Sequence, residues 1–238
     1  MKPVLFFAVL VFVLLVAGCS HRPATVQVPP APPTSAESAP AVTANSPDLE
    51  IPRETKPLLI ETGIASWYGA PYHNRRGSNG EVYDMHAMTA AHRTLPLGSV
   101  VRVTNLESRQ SAIVRITDRG PFVEGRIVDL SQAAAEKIGM LQKGTVGVKL
   151  ELLKTPVPLS NAGRWAVQIG GFDQENAARD LAAHLTRRYR TANVLTFTSP
   201  VGAWWVRVRV KDDLRTRAEE VARDTKTSEG AIFLVRLD

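Results

Sequence analysis

Apolar and polar residues alternate in short runs through the middle of the chain, and the runs carry many valines and isoleucines. This pattern predicts strands over 63–68, 87–91, 99–105, 111–117, 126–130 and 145–153. Turn residues fall between them: Gly80, Pro96-Leu97-Gly98, Asn105, Gly120-Pro121 and Gly144. Six short strands so closely spaced predict a small barrel, because closing a sheet removes its unpaired edges. One helix interrupts them over 131–139, with Ser131 as N-cap, an alanine run and a terminal Gly139. Past a cluster of Pro, Ser and Gly at 155–163 the period changes. A strand at 165–172 is followed by a helix over 175–189, with Ala177, Ala178, Leu181, Ala182 and Leu185 at helical spacing, and a strand at 194–198. A strand at 204–210, a helix over 213–226 and a strand at 231–237 repeat the theme, which is a ferredoxin-like βαβ-βαβ plan.

The amino terminus has a different character. Lys2 precedes an unbroken apolar run from Val4 to Ala17, too short to span a bilayer comfortably, with small residues directly after it. Residues 1–18 therefore read as an export signal. Cys19 is the only cysteine of the chain, which excludes an internal disulfide. Leu15-Val16-Ala17-Gly18-Cys19 resembles the lipobox of bacterial lipoproteins, which implies a lipidated Cys19 and a lipid anchor; Ser20 after it implies an outer-membrane destination facing the periplasm. Nine of the 16 prolines lie between Ser20 and Glu61 among Ser, Thr and Ala, so 19–61 reads as an extended tether. The folded units are expected at 62–155 and 163–238, joined by a linker at 156–162. The formal charge of +6, or +5 without Lys2, suits an acidic polymer or a solvated basic surface. Export excludes nucleic acid as a partner and leaves the cell wall within reach.

Candidate chemistry centres on Asp118 and Glu81. Gly120-Pro121 stops the strand at 111–117, which leaves Asp118 where rigid strand gives way to loop; Glu81 follows the turn signal Asn79-Gly80. Two such carboxyls serve as acid and as base or stabiliser at a glycosidic bond if one is protonated and the other ionised. The same residues also suit an Asx turn or an ion pair with Arg119. His73, His86 and His92 lack metal-site spacing, so neither a metal nor a cofactor is expected. Trp67, Tyr68 and Tyr83 offer faces for sugar stacking or for ordinary packing.

Several longer motifs then become specific. Gly63-Ile64-Ala65-Ser66-Trp67-Tyr68-Gly69, Asn79-Gly80-Glu81-Val82-Tyr83-Asp84-Met85, the run Thr89 to Gly98, Val101-Arg102-Val103-Thr104-Asn105, Arg119-Gly120-Pro121-Phe122 and Asp129-Leu130-Ser131 resemble, in order, the rare lipoprotein A family. The resemblance implies a six-stranded double-psi β-barrel, mainly β. It further implies a lytic transglycosylase that cleaves peptidoglycan glycan strands freed of peptide stems and leaves 1,6-anhydro-muramic ends. Asp118, Glu81 and His92 fall on the family's site positions, with Asp118 as the acid and Glu81 as stabiliser or base. Gly77-Ser78 stands where members usually carry Thr-Ala.

Trp165-Ala166-Val167-Gln168-Ile169-Gly170-Gly171-Phe172, Asn176-Ala177, Leu181 and Trp204-Trp205-Val206-Arg207-Val208 resemble the SPOR domain, an α+β ferredoxin-like module. That implies binding of the same stem-free glycan and concentration at the division septum, beside septal proteins and the amidases that prepare such glycan. Gln168, on the open face of the sheet, is carried over as glycan-binding, with Trp205, Arg207 and, in the barrel, Trp67 beside it. Trp204 and Trp205 must point to opposite faces. The competing readings are a wall protein that binds stem-free glycan without cleaving it, and an expansin-type loosening protein.

Overall fold

The computed structural model describes residues 51–52, 54–159, 163–227 and 229–238. The signal, Cys19 and most of the tether lie outside the described residues. Among those described, no helix is long and apolar enough to cross a membrane.

Six strands, β1 (Leu59–Tyr68), β2 (Thr89–His92), β3 (Val100–Asn105), β4 (Ser111–Asp118), β5 (Arg126–Ser131) and β6 (Val146–Lys154), close into a barrel in the order β1-β5-β2-β4-β3-β6. Two of the pairings, β1 with β5 and β2 with β4, are parallel, and the rest are antiparallel. β1 starts four residues ahead of its predicted position, inside the stretch read as tether. Leu59 to Thr62 lack a clean alternation, yet they find ladder partners from Leu152 to Lys149. The interior is filled by Val101, Val103, Val114, Ile116, Val128, Leu130, Val148 and Leu150, none with measurable exposure. Each such side chain contributes roughly 1.5–3 kcal/mol of burial. Helix α1 (Gln132–Lys137) packs Ala134 and Ala135 into the same core. Its N-cap Ser131 accepts from Ala134 N at 3.2 Å and donates to Ala87 O at 2.7 Å, so one hydroxyl caps the helix and pins the approach to β2.

The second domain is a four-stranded sheet of β7 (Trp165–Phe172), β8 (Asn193–Thr198), β9 (Trp204–Arg209) and β10 (Ala231–Arg236), ordered β10-β7-β9-β8 and wholly antiparallel. Helices α2 (Glu175–Arg188) and α3 (Arg215–Asp224) cover one face, burying Trp165, Val167, Ile169, Leu185, Val206 and Val208. The other face carries Gln168, Trp205, Arg207 and Phe233. It is not open, as the sequence suggested, because barrel and sheet fall within one compact unit and Phe122 of the barrel reaches across. Its ring lies 5.4 Å from Trp205 and 5.7 Å from Phe233. Strand alternation puts Trp204 on the helix side and Trp205 on the barrel side.

Candidate functional site

Strand register assembles the site. Ser66 of β1 pairs with Asp129 of β5, Asp129 with Ala91 of β2, and Ala91 with Asp118 of β4, forming one row across four strands. The neighbouring row of Leu130, Ala90 and Ile116 points into the core. Side chains alternate across a sheet, so the row with the two aspartates faces away from the core. Two strand spacings separate the aspartate backbones, roughly 10 Å. Gly120 lies over the row at φ 148°, a conformation that favours glycine, and a Cβ there would sit 3.7 Å from Ala91 Cβ and 3.9 Å from Asp129 Oδ2. Its missing side chain keeps the space between the carboxyls clear.

Asp118 is held by the turn ahead of β2. Its Oδ1 accepts from Ser78 N at 2.9 Å, Ser78 Oγ at 2.5 Å and Arg119 N at 2.7 Å. The Gly77-Ser78 departure therefore has a structural use. Gly77 lets the turn lie against β4, since a Cβ there would meet Thr117 O at 3.2 Å, and Ser78 supplies two of the three donors.

Asp129 was not singled out as a site residue from the sequence, where it reads as an ordinary polar position in a strand. Its Oδ2 pairs with Arg126 Nη2 at 3.1 Å, but its Oδ1 is buried without a hydrogen-bond partner. Burial pushes its pKa up to about 6 against the pull of Arg126 and Arg93. Tyr68 Oη and Arg126 Nε are buried and unpartnered beside it. Burial, then the charges of Asp118 and Asp129, holds the Tyr68 phenol well above its ordinary range. Tyr68 stacks on Tyr83 at 4.3 Å and accepts its hydroxyl at 2.6 Å through the backbone oxygen.

The opposite wall comes from the second domain. A cleft of about 410 Å³ is lined by Asp118, Asp129 and Tyr68 on the barrel side and by Gln168, Phe197 and Arg207 on the sheet side. Gln168 is only 2% exposed, and its Oε1 accepts from Arg207 Nε at 3.2 Å and Nη2 at 2.6 Å. The Arg207 guanidinium sits 5.0 Å over the Phe197 ring. Trp205 lines the cleft edge but is itself buried, packed with Phe233 and Val235 and against Phe122. Arg119 fastens the walls together, donating to His92 O at 2.9 Å, Leu95 O at 2.7 Å and Asp238 O at 2.6 Å. Burial lowers its pKa to about 10.

The other expected site residues lie elsewhere. Glu81 forms a bidentate pair with Arg115, Oε1 to Nη1 at 3.1 Å and Oε2 to Nη2 at 2.6 Å, and that partner holds its pKa below the ordinary value. It does not line the cleft. His92, 3% exposed, follows Ala91 and so points to the other face. Its Nδ1 accepts from Leu95 N at 3.0 Å and Thr94 N at 3.2 Å, which places the ring proton on Nε2, facing Glu61 Oε2 at 3.2 Å. Burial lowers its pKa and Glu61 opposes this, leaving a neutral ring that pins the 92–95 loop. Trp67 lines an adjoining depression that shares Tyr68, Tyr72, Arg126 and Asp129 with the main cleft. Among the described residues no group of three or more His, Cys, Asp or Glu converges as a metal site would.

Comparison with known proteins agrees with this two-domain arrangement. The family model described as lytic transglycolase matches residues 60–150, and the SPOR domain model matches residues 161–227. A Vibrio cholerae protein named endolytic peptidoglycan transglycosylase RlpA is 40% identical over 171 residues, covering 68% of this chain and 65% of that protein. The protein of the same name from Helicobacter pylori strain J99 is 38% identical over 196 residues, covering 68% and 59%. That from Pseudomonas aeruginosa strain UCBPP-PA14 is 45% identical over 139 residues, covering 58% and 41%. The match thus spans less than two thirds of these relatives' own length. Among solved structures, Streptomyces papain inhibitor aligns at 23% identity with a TM-score of 0.34, covering 41% of this chain and 97% of its own. With both domain models matched in sequence order and relatives at 38–45% identity, the chain is similar to the rare lipoprotein A proteins in both of its domains.

Proposed function

We propose that the protein is a lytic transglycosylase that cleaves the bond between N-acetylmuramic acid and N-acetylglucosamine in stem-free peptidoglycan, leaving 1,6-anhydro-muramic ends. One observation carries the reading. A carboxyl fixed by three hydrogen bonds, Asp118, faces a cleft whose far wall carries a glutamine, an arginine and an aromatic ring from the second domain. Removing a peptide stem leaves a free carboxylate on the muramic lactyl group. Arg207, oriented by Gln168 and Phe197, supplies the complementary charge and a reason for stem-free strands to bind best. The names of the relatives and of the matched barrel model support the reaction class.

In this reading Asp118 acts on the substrate, while Glu81 and His92 act through position. Glu81 anchors to Arg115 the turn that presents Ser78 to Asp118, and His92 fixes the loop that Arg119 grips. The SPOR sheet holds glycan at the division septum, Cys19 carries the lipid anchor at the periplasmic side of the outer membrane, and amidases act upstream by exposing the substrate. Mass spectrometry of soluble products tests the reaction, after incubation of purified protein with amidase-treated glycan strands. Anhydro-ended fragments that disappear in Asp118→Asn, with sedimentation on glycan retained, are the expected result. Reducing-end fragments would make it a hydrolase. Sedimentation without any soluble product would make it a binding protein.

A further inference from the structure

Glu81 leaves the cleft without the second carboxyl that the reaction calls for. Asp129 occupies that place: it lies in the same outward row as Asp118, on the other side of Ala91, and lines the same cleft. Its Oδ1 and the neighbouring Tyr68 Oη are buried polar atoms that meet no partner in good hydrogen-bond geometry, with only the Ser66 and Thr89 hydroxyls near them. Native structures leave few such atoms orphaned, and a pair of them at the base of a cleft is a place for a ligand's polar groups. Resting on the reading of the reaction given above, we propose that Asp129 is the residue that protonates the glycosidic oxygen, with Asp118 across the gap as its acid–base counterpart.

The step balances with these two groups. The Asp129 proton passes to the oxygen of the leaving N-acetylglucosamine as the C1–O bond breaks. The muramic C6 hydroxyl oxygen bonds to C1, and its proton passes to the Asp118 carboxylate. One proton is given and one is taken, and exchange with water restores both carboxyls. Gly120 adds no side chain beside Asp129, and the Ser78 hydroxyl and N–H and the Arg119 N–H hold Asp118 through its Oδ1.

Every element around Asp129 contributes to its proton affinity. Burial favours the neutral form. Arg126 on its own strand and Arg93 at the end of β2 favour the charged one, as does the Ser66 hydroxyl on β1. Tyr68 on β1 and Tyr72 after it stay neutral phenols near it, and Asp118 on β4 shares the Tyr68 ring as a neighbour. The net direction leaves a carboxyl that still holds its proton in mildly acidic solution.

The test is a comparison of leaving groups. Wild type, Asp129→Asn and Asp118→Asn are assayed on stem-free glycan strands and on a muramic glycoside with a dinitrophenolate leaving group, which departs without protonation. Asp129→Asn should lose about 10²- to 10⁴-fold on the strands, the usual worth of a general acid. It should recover to within about tenfold of wild type on the activated glycoside, while Asp118→Asn stays inactive on both. In wild type, turnover on strands should fall above about pH 6 and turnover of the activated glycoside should not. Equal loss on both substrates in Asp129→Asn, or a wild-type profile that rises through pH 6–8 on strands, would overturn the assignment. Should Asp129→Asn fail to fold, the two wild-type profiles decide the matter alone. Absence of anhydro products from wild type would instead overturn the underlying reaction.

Discussion

The two walls of the cleft are built from the same kind of secondary structure and carry opposite chemistry. On the barrel, a row of outward positions brings two aspartates to either side of a small residue. On the second domain, the same alternation brings Gln168 and Arg207 to one face as a cross-strand pair, with Phe197 beside them. One wall holds protons and the other holds charge and flat surface. Labour divides between them: a closed barrel surrounds a carboxyl on enough sides to raise its pKa, whereas the sheet lends the cleft one polar and aromatic edge of a face that the barrel otherwise covers.

That division can be broken by substitution. The largest effect belongs to the barrel wall, where Asp118→Asn should lower turnover by about a hundredfold or more with little change in glycan sedimentation. Loss of sedimentation together with turnover would mean that the barrel wall also grips.

Next comes a stability signature of Asp129. Its pKa is higher in the fold, about 6, than the 3.8 of an ordinary aspartate. The folded state therefore binds this proton more tightly than the unfolded state, and the group costs stability as pH rises from about 4 through 6. Asp129→Asn removes that dependence. Thermal melts should show the variant gaining on wild type by roughly 2 kcal/mol between pH 4 and pH 7, at about 1.4 kcal/mol per pKa unit. A difference that does not change with pH would contradict the raised pKa.

A smaller effect is expected on the sheet wall. Arg207→Ala should raise KM for stem-free strands about tenfold and leave kcat near its wild-type value, since a cation that pairs with a lactyl carboxylate holds substrate and transition state alike. A change confined to kcat would move Arg207 from the gripping wall to the reacting one. Smallest is Glu81→Gln. Its pair with Arg115 is partly exposed, so the stability loss should stay below about 1 kcal/mol, and turnover should fall only a few-fold through the turn that carries Ser78.

Much of this was legible in the chain and some was not, for physical reasons. The barrel strands follow from alternation and from Gly and Pro punctuation, and Ser131 announces the start of α1. Asp118 was legible because Gly120-Pro121 ends its strand abruptly. Asp129 was not, because its importance comes from register: only when β5 lies beside β2, and β2 beside β4, do residues eleven positions apart face one gap. The Asp129-Leu130-Ser131 motif was visible, but local periodicity says nothing about which strands are neighbours. The partners of Glu81 and His92 were hidden for the same reason, since Arg115 and Glu61 are 34 and 31 residues away. The covering of the second sheet depends on Phe122, whose loop neighbour Val123 is just as apolar in sequence yet stays exposed.

Arg119 joins these observations at a single residue. Its peptide N–H holds the Asp118 carboxylate, and its guanidinium holds the backbone oxygen of Asp238, two residues past β10. Arg119 is thus one of several ties between barrel and sheet, beside Phe122 on Trp205 and Phe233 and Arg93 on Arg236, and the one that also touches the carboxylate. The residue that anchors the carboxylate is also a rivet between the two walls, so the aim of the acid group and the closure of the jaw share one side chain.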